Sequence, residues 1–311
     1  MDKPKVVCIV GPTASGKTAL GILVAKYLDG EIISADSMQV YKGMPIASAV
    51  PDIKERQGVV HHLLEFLDPL DQLTVARYQE LALEKVSEIL KRGKTPIIVG
   101  GTGLYVDSVV NNLTYQEEDF DENVRRRLEK EYDENGAENF HAKLKEIDAA
   151  AAERISPNDK KRLVRALELY ENCGVTVSEQ YENSRKTESP YEFIKIGIKF
   201  DDRQKLYERI NKRVDIMLQN GLVDEAKSFF NKANSKTAGF AAIGHKEIFP
   251  YFKGEISLEE AVENLKQQTR RYAKRQLTWF NKSEDINWVF PDLSEDIFED
   301  AKKILEGRNL P

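Results

Sequence analysis

Cysteine and histidine are scarce: two and four residues in a chain of 311. Cys8 and Cys173 alone exclude a disulfide framework, and four histidines leave little for a zinc module. Long apolar runs are missing too. No stretch approaches 18 apolar residues and none precedes Lys5, so neither a spanning helix nor a secretory signal is expected; the expected compartment is the cytoplasm. There is no internal repeat and no low-complexity tract. What remains is 41% hydrophobic and 32% charged residues, the balance of a chain that folds around a core. At ~100–200 residues per domain the length predicts about two domains. Cys8, inside Val6-Val7-Cys8-Ile9-Val10, reads as a buried small hydrophobe.

The formal net charge of −6 argues weakly against a nucleic-acid partner, but its distribution matters more. Between Lys266 and Lys282 lie six basic residues and no acidic one. Acid predominates from Tyr115 to Asn158 and again from Glu284 onward. A basic island therefore sits between acidic stretches.

The first 113 residues alternate strand and helix: apolar strands at Lys5–Val10, Glu31–Ser34 and Thr95–Val99, with helical spacing at 17–28 and 74–91. Such alternation implies a parallel α/β sheet with right-handed crossovers. Asp121 to about Tyr181 is charged, helix-favouring and nearly free of Gly and Pro. Strand pattern returns at Glu192–Phe200, followed by helices at 203–220, 223–232 and 258–280, a short strand at Asn287–Phe290 and an acidic helix. The expected fold is α/β: a P-loop NTPase-like parallel sheet core flanked by helices, with an all-helical insertion domain. The expected segments are 1–113, the insertion 114–190 and 191–311.

Gly11-Pro12-Thr13-Ala14-Ser15-Gly16-Lys17-Thr18 matches G-x-x-x-x-G-K-[ST], directly after a strand and opening a helix. The glycines let the loop curl until successive backbone N–H groups point inward as an anion nest, and the helix adds its positive end. Lys17 supplies a point charge, and Thr18 can place a hydroxyl on Mg²⁺. A bound polyphosphate follows; which one does not. The third strand, Ile97-Ile98-Val99, runs into Gly100-Gly101-Thr102 and lacks the acidic end of many ATPases. The nearest strand-end carboxylate is Asp36. In open α/β sheets ligands sit beyond the carboxyl ends of strands, so Asp36, Thr102 and the loop should converge on one cleft. An aspartate there can hold metal, orient a ribose, take a proton or simply cap a turn.

Together with Ser34-Ala35-Asp36-Ser37-Met38-Gln39-Val40-Tyr41, Val99-Gly100-Gly101-Thr102-Gly103-Leu104-Tyr105 and Arg271-Tyr272-Ala273-Lys274-Arg275-Gln276-Leu277-Thr278-Trp279-Phe280, the loop resembles the tRNA dimethylallyltransferase (tRNA isopentenyltransferase) family. The likeness runs in order from about residue 6 to 280. It implies transfer of a dimethylallyl group from dimethylallyl diphosphate to N6 of the adenosine on the 3′ side of the anticodon. By resemblance Asp36 is the base, Gly11 and Thr13, Ala14, Ser15, Gly16, Lys17 and Thr18 wrap the diphosphate with Mg²⁺ on Thr18, and Arg213 reaches the pyrophosphate. Thr102 is expected to contact the target nucleotide or the metal site. Asp36, Ser37, Met38 and Gln39 fall beside the target base. Arg271, Lys274, Arg275, Gln276 and Trp279 belong to the basic helix that would wall the RNA channel. Lys161, Arg162 and Arg165 lie in the insertion, expected against the anticodon stem. No protein partner is required by this reading, and a monomer is expected.

Three stretches depart from the family. Ile46-Ala47-Ser48-Ala49-Val50-Pro51 replaces Ile-Gly-Thr-Ala-Lys-Pro, which puts the local loop shape in question. Ala242 and His245 stand where Gly and Tyr are common, and Asn281 replaces an arginine. His245 reads as a polar stand-in for tyrosine, and His61-His62 as a pair that bonds locally. Rival readings are a prenyltransferase acting on free adenine nucleotides, a small-molecule kinase using ATP, and an RNA-binding module without chemistry.

Overall fold

The computed structural model describes residues 3–115, 121–184, 187–230 and 242–310. Six parallel strands form one sheet in the order β3-β2-β4-β1-β5-β6. They are β1 Lys5–Val10, β2 Gly30–Ser34, β3 His61–His62, β4 Thr95–Gly100, β5 Glu192–Ile198 and β6 Ile286–Val289. Alternation along β1 assigns the two faces. Val6, Cys8 and Val10 pack with Tyr78, Val86 and Ile89 of α3 (Val75–Lys91) and Val106 and Val109 of α4 (Gly103–Val110). Val7 and Ile9 pack on the other side with Leu20 and Val24 of α1 (Lys17–Tyr27) and Leu305 of α14 (Ile297–Glu306). A parallel sheet covered on both faces needs nearly continuous apolar strands, which is how these segments read. Cys8 is fully buried, and burial pushes its thiol up to about 12.

Chain segments 1–110 and 190–311 make up this sheet unit. Its further helices are α2 Pro45–Ser48, α10 Arg203–Gln219, α11 Leu222–Phe230, α12 His245–Phe252 and α13 Leu258–Phe280. Side-chain caps start several of them: Thr74 for α3, Asp202 for α10, and a Ser257–Glu260 capping box for α13. The end of the helix expected at 223–232 lies outside the described residues.

Residues 111–189 form a second compact unit. It comprises α5 Glu122–Asn135, α6 Ala137–Ile147, α7 Ala149–Arg154, α8 Lys160–Cys173 and α9 Val177–Ser184. Its core is Leu128, Phe140, Leu144, Leu163 and Leu167. Glu168 is buried there and accepts hydrogen bonds from Arg125 at 2.9 Å and Arg165 at 3.0 Å.

Candidate active site

The phosphate loop leaves β1 at Gly11, where φ is +144° and an added Cβ would lie 2.6 Å from the Ile198 carbonyl oxygen. Only glycine fits that approach. Ala14 takes the left-handed conformation at φ 61° and Gly16 at φ 102°, curling the loop into α1. That helix has no side-chain N-cap and no acid in its first turn, so no side chain of its own offsets its positive end, an arrangement that suits an anion. The Ser15 hydroxyl is buried and has no hydrogen-bond partner among the described residues. Lys17 Nζ donates to the Pro12 carbonyl at 2.6 Å. Burial, aided by Arg213 and opposed by Asp36, brings the Lys17 ammonium down to about 7.

Beyond β2 the chain turns at Ala35, whose N–H donates to Val99 O at 2.8 Å and whose carbonyl accepts from Thr102 N at 3.1 Å. A side chain at Gly100 would collide with Ala35 O at 2.1 Å, so glycine there lets the two strand ends close up. Asp36 Oδ1 accepts from Met38 N at 2.9 Å and Gln39 N at 3.4 Å, an Asx turn that aims the carboxylate. Thr102 Oγ1 accepts from Ser37 N at 3.0 Å.

Loop and turn share one cavity of about 320 Å³, a volume at the low end of ligand sites. Thr13, Lys17, Thr18, Asp36, Ser37 and Arg213 line it, with Met38, Gln39, Arg275 and Gln276. Among the described residues that line it, four cations (Lys17, Arg213, Lys246 and Arg275) face a single carboxylate, Asp36. Burial lowers the Arg213 pKa, while Asp36 and Glu55 hold it up. The rest of the wall is largely apolar, including Ala47, Val214, Met217, Ile243 and Leu265. Mg²⁺ suits such a place: it takes one or two carboxylates plus phosphate oxygens and water rather than a protein cage. The described residues hold no cluster of three or more His, Cys, Asp or Glu fit for a metal.

Some residues expected at the RNA also bond within the protein. Gln276 Oε1 accepts from Thr13 N, and its amide donates to Gly101 O. Gln39 donates to the Ser48 and Ala49 carbonyls at 3.3 and 3.0 Å. The Trp279 indole donates to Asp107 at 2.8 Å. Within the basic island Lys266 pairs with Asp215 and Arg270 with Glu263, whereas Arg271, Lys274 and Arg275 are exposed and unpaired with any described carboxylate. In the second unit Lys161 is exposed, and Arg162 and Arg165 are exposed but paired with Asp159 and Glu168.

Three site residues were not singled out from the sequence. Arg209, one turn before Arg213 on α10, donates Nε to the Ala14 carbonyl at 3.0 Å. The spacing of four was the available signal. Tyr272 lines the cavity within hydrogen-bonding reach of Thr102 and Gln276, its phenol held above the ordinary range by burial and by Asp36. Lys246 lines it beside His245. His61 bonds Val59 O at 2.9 Å and His62 bonds Glu31 at 2.7 Å. Ala47 is not in the left-handed region, so the glycine it replaces is not needed for this backbone.

A phosphate loop opening a helix on a parallel sheet, with a carboxylate and several cations in one cavity, defines a P-loop-type α/β protein with a site suited to an anion. The family model IPP transferase matches residues 39–283, and the chain belongs to that family, the tRNA dimethylallyltransferases. The tRNA dimethylallyltransferase of Acetivibrio thermocellus is 49% identical over 303 residues, 97% of this chain and 95% of its own. That of Bacillus subtilis is 47% identical over 301 residues, covering 97% and 95%. The crystal structure of the full-length tRNA isopentenylpyrophosphate transferase from Bacillus halodurans superposes with a TM-score of 0.72 at 41% identity, covering 98% of both chains. A eukaryotic dimethylallyltransferase acting on tRNA gives 0.82 at 27% identity, covering 99% of this chain and 80% of its own.

Proposed function

We infer that this chain transfers the dimethylallyl group of dimethylallyl diphosphate to N6 of the adenosine 3′ to the anticodon in tRNA, releasing pyrophosphate. The observation that carries the reading is the single cavity shared by Lys17, Thr18, Arg213 and Asp36. The acceptor is a poor nucleophile, an aromatic amine whose lone pair is delocalised. The donor carbon is allylic, so charge develops on the departing diphosphate as its C–O bond breaks. Catalysis then needs preorganised donors on the leaving group and a base at the amine.

The loop N–H groups, Lys17 and Arg213 face the diphosphate oxygens, and the guanidinium fork suits their geometry. Asp36 accepts the N6 proton as the C–N bond forms. Its Oδ1 is engaged by the turn, which leaves Oδ2 to the substrate. Mg²⁺, held by the Thr18 hydroxyl and the diphosphate, would supply further neutralisation of the leaving group. The apolar wall receives the isoprenoid carbons and excludes water from an electrophilic carbon. The target base, lying in a loop, must leave its stack to reach Asp36. Arg271, Lys274 and Arg275 hold RNA phosphates, and the 111–189 unit meets the anticodon stem.

Incubation of the protein and Mg²⁺ with labelled dimethylallyl diphosphate and an unmodified anticodon stem-loop tests this. Label in the RNA is the expected result. Label only in added AMP, phosphate release from ATP, or RNA retained without label would each replace it by another activity.

A further inference from the structure

The cavity wall includes Ala47 and Ser48 of α2. This four-residue helix has no side-chain cap of its own. Its leading N–H groups are instead taken by a carboxylate from far along the chain. Ile46 N donates to Glu225 Oε2 at 2.8 Å and Ala47 N to Glu225 Oε1 at 2.9 Å. Glu225 is in turn held by His245, whose Nε2 lies 2.8 Å from Oε1. A carboxylate only accepts, so Nε2 is the donor. The His245 side chain is 0% exposed and that of Glu225 8%. The imidazole is wedged beside the Phe229 ring, centroids 4.7 Å apart, with Phe249 at 6.4 Å. Next to it Gly244 presses on the wall: an added Cβ would lie 3.1 Å from Ala47 Cβ. The far end of α2 is fixed by Gln39 through the Ser48 and Ala49 carbonyls.

Two buried side chains thus fix a backbone segment whose Ala47 and Ser48 line the cavity. Nothing in the chemistry of proton transfer or leaving-group stabilisation needs them. We propose that the Glu225–His245 pair, by holding α2, positions the Ala47–Ser48 wall so that it gauges the isoprenoid end of the donor, admitting five carbons and rejecting longer chains. The pair acts through the wall and touches no reacting atom. The proposal rests on the prenyl-transfer reading of the cavity.

Glu225→Gln keeps the side-chain shape but turns an N–H₂ toward backbone donors. The expected result is a rise of about tenfold in KM for dimethylallyl diphosphate, with kcat at saturating donor changed by less than about threefold, as expected when uniform binding is lost. The kcat/KM preference for dimethylallyl over geranyl diphosphate should fall by about tenfold, within the range a single feature of a pocket commands. His245→Phe, which retains the aromatic packing, should move both quantities the same way, and His245→Gln, whose amide can still donate to Glu225, should restore them in part. A role confined to stability would lower the active fraction, and with it kcat, while leaving KM and the chain-length ratio unmoved. Folded Glu225→Gln or His245→Phe protein with wild-type KM and ratio overturns the proposal. Wild-type protein that transfers neither donor overturns the prenyl-transfer reading itself.

Discussion

Gln276 Oε1 accepts a hydrogen bond from the backbone N–H of Thr13 at 2.8 Å, across 263 residues of sequence. The same side chain donates to Gly101 O at 2.9 Å. One amide thus ties the phosphate loop to the turn that carries Thr102, and through Ser37 to the segment holding Asp36. The separation between the phosphate loop and Asp36 is therefore tied to α13 as well as to the strands.

Gln276→Ala removes both bonds and leaves the part-buried Thr13 N–H and the buried Gly101 carbonyl unpaired, the latter at a cost of about 1–3 kcal/mol. Denaturant unfolding should show lower stability, and transfer kinetics should show a reduced kcat, because cradle and base lose their fixed spacing. Wild-type stability and kcat would mean that the tie does no positioning.

Arg271→Ala with Lys274→Ala should weaken stem-loop binding evenly across sequences. The slope of log affinity against log salt should become shallower by about 1 for each phosphate that the variant no longer neutralises. Neither side chain is paired to a described carboxylate, so the change reports the surface and not a broken ion pair. An unaltered slope would place the RNA elsewhere.

Thr18→Ala should raise the Mg²⁺ concentration needed for half-maximal transfer, since its hydroxyl is the loop group assigned to the metal. A magnesium titration with an unchanged midpoint would move the metal off the loop.

Glu31, 5% exposed, accepts from Arg92 and His62 at 2.7 Å each. Burial pushes its carboxyl up, but the hydrogen bonds and charges of Arg92 and His62 together outweigh it, and the pKa lies below the ordinary 4.5. A lowered folded-state value contributes stability that is present above pH 4.5 and lost as pH falls through the lowered value. Glu31→Gln should therefore be less stable at pH 7 by about 1–3 kcal/mol. The gap should narrow below pH 4.5, as unfolding curves at a series of pH values would reveal; a gap independent of pH would assign the effect to packing.

Most of the fold was legible because the short, β-branched segments at 5–10, 31–34, 95–99 and 192–200, bounded by Gly, Pro or polar residues and alternating with helical stretches, fit buried parallel strands better than helices. The edge strand His61–His62 was not: two polar residues carry no period, and their pairing to β2 is a tertiary fact. Nor was α4, where Gly103, Tyr105, Val106, Ser108 and Val109 are all buried and the usual amphipathic signature is lost. At the site, the loop and Asp36 follow from local rules. Gln276, Glu225 and Arg209 do not, since each acts on backbone some 180 to 260 residues away and nothing local marks the partner.

The central claim is that the cradle and Asp36 serve one transfer, and single-turnover kinetics of Asp36→Asn test it most directly. With a saturating stem-loop and dimethylallyl diphosphate, the rate should drop about 10²–10⁴-fold, the worth of a positioned base, while affinities for both substrates stay close to wild type. An unchanged transfer rate would contradict the account.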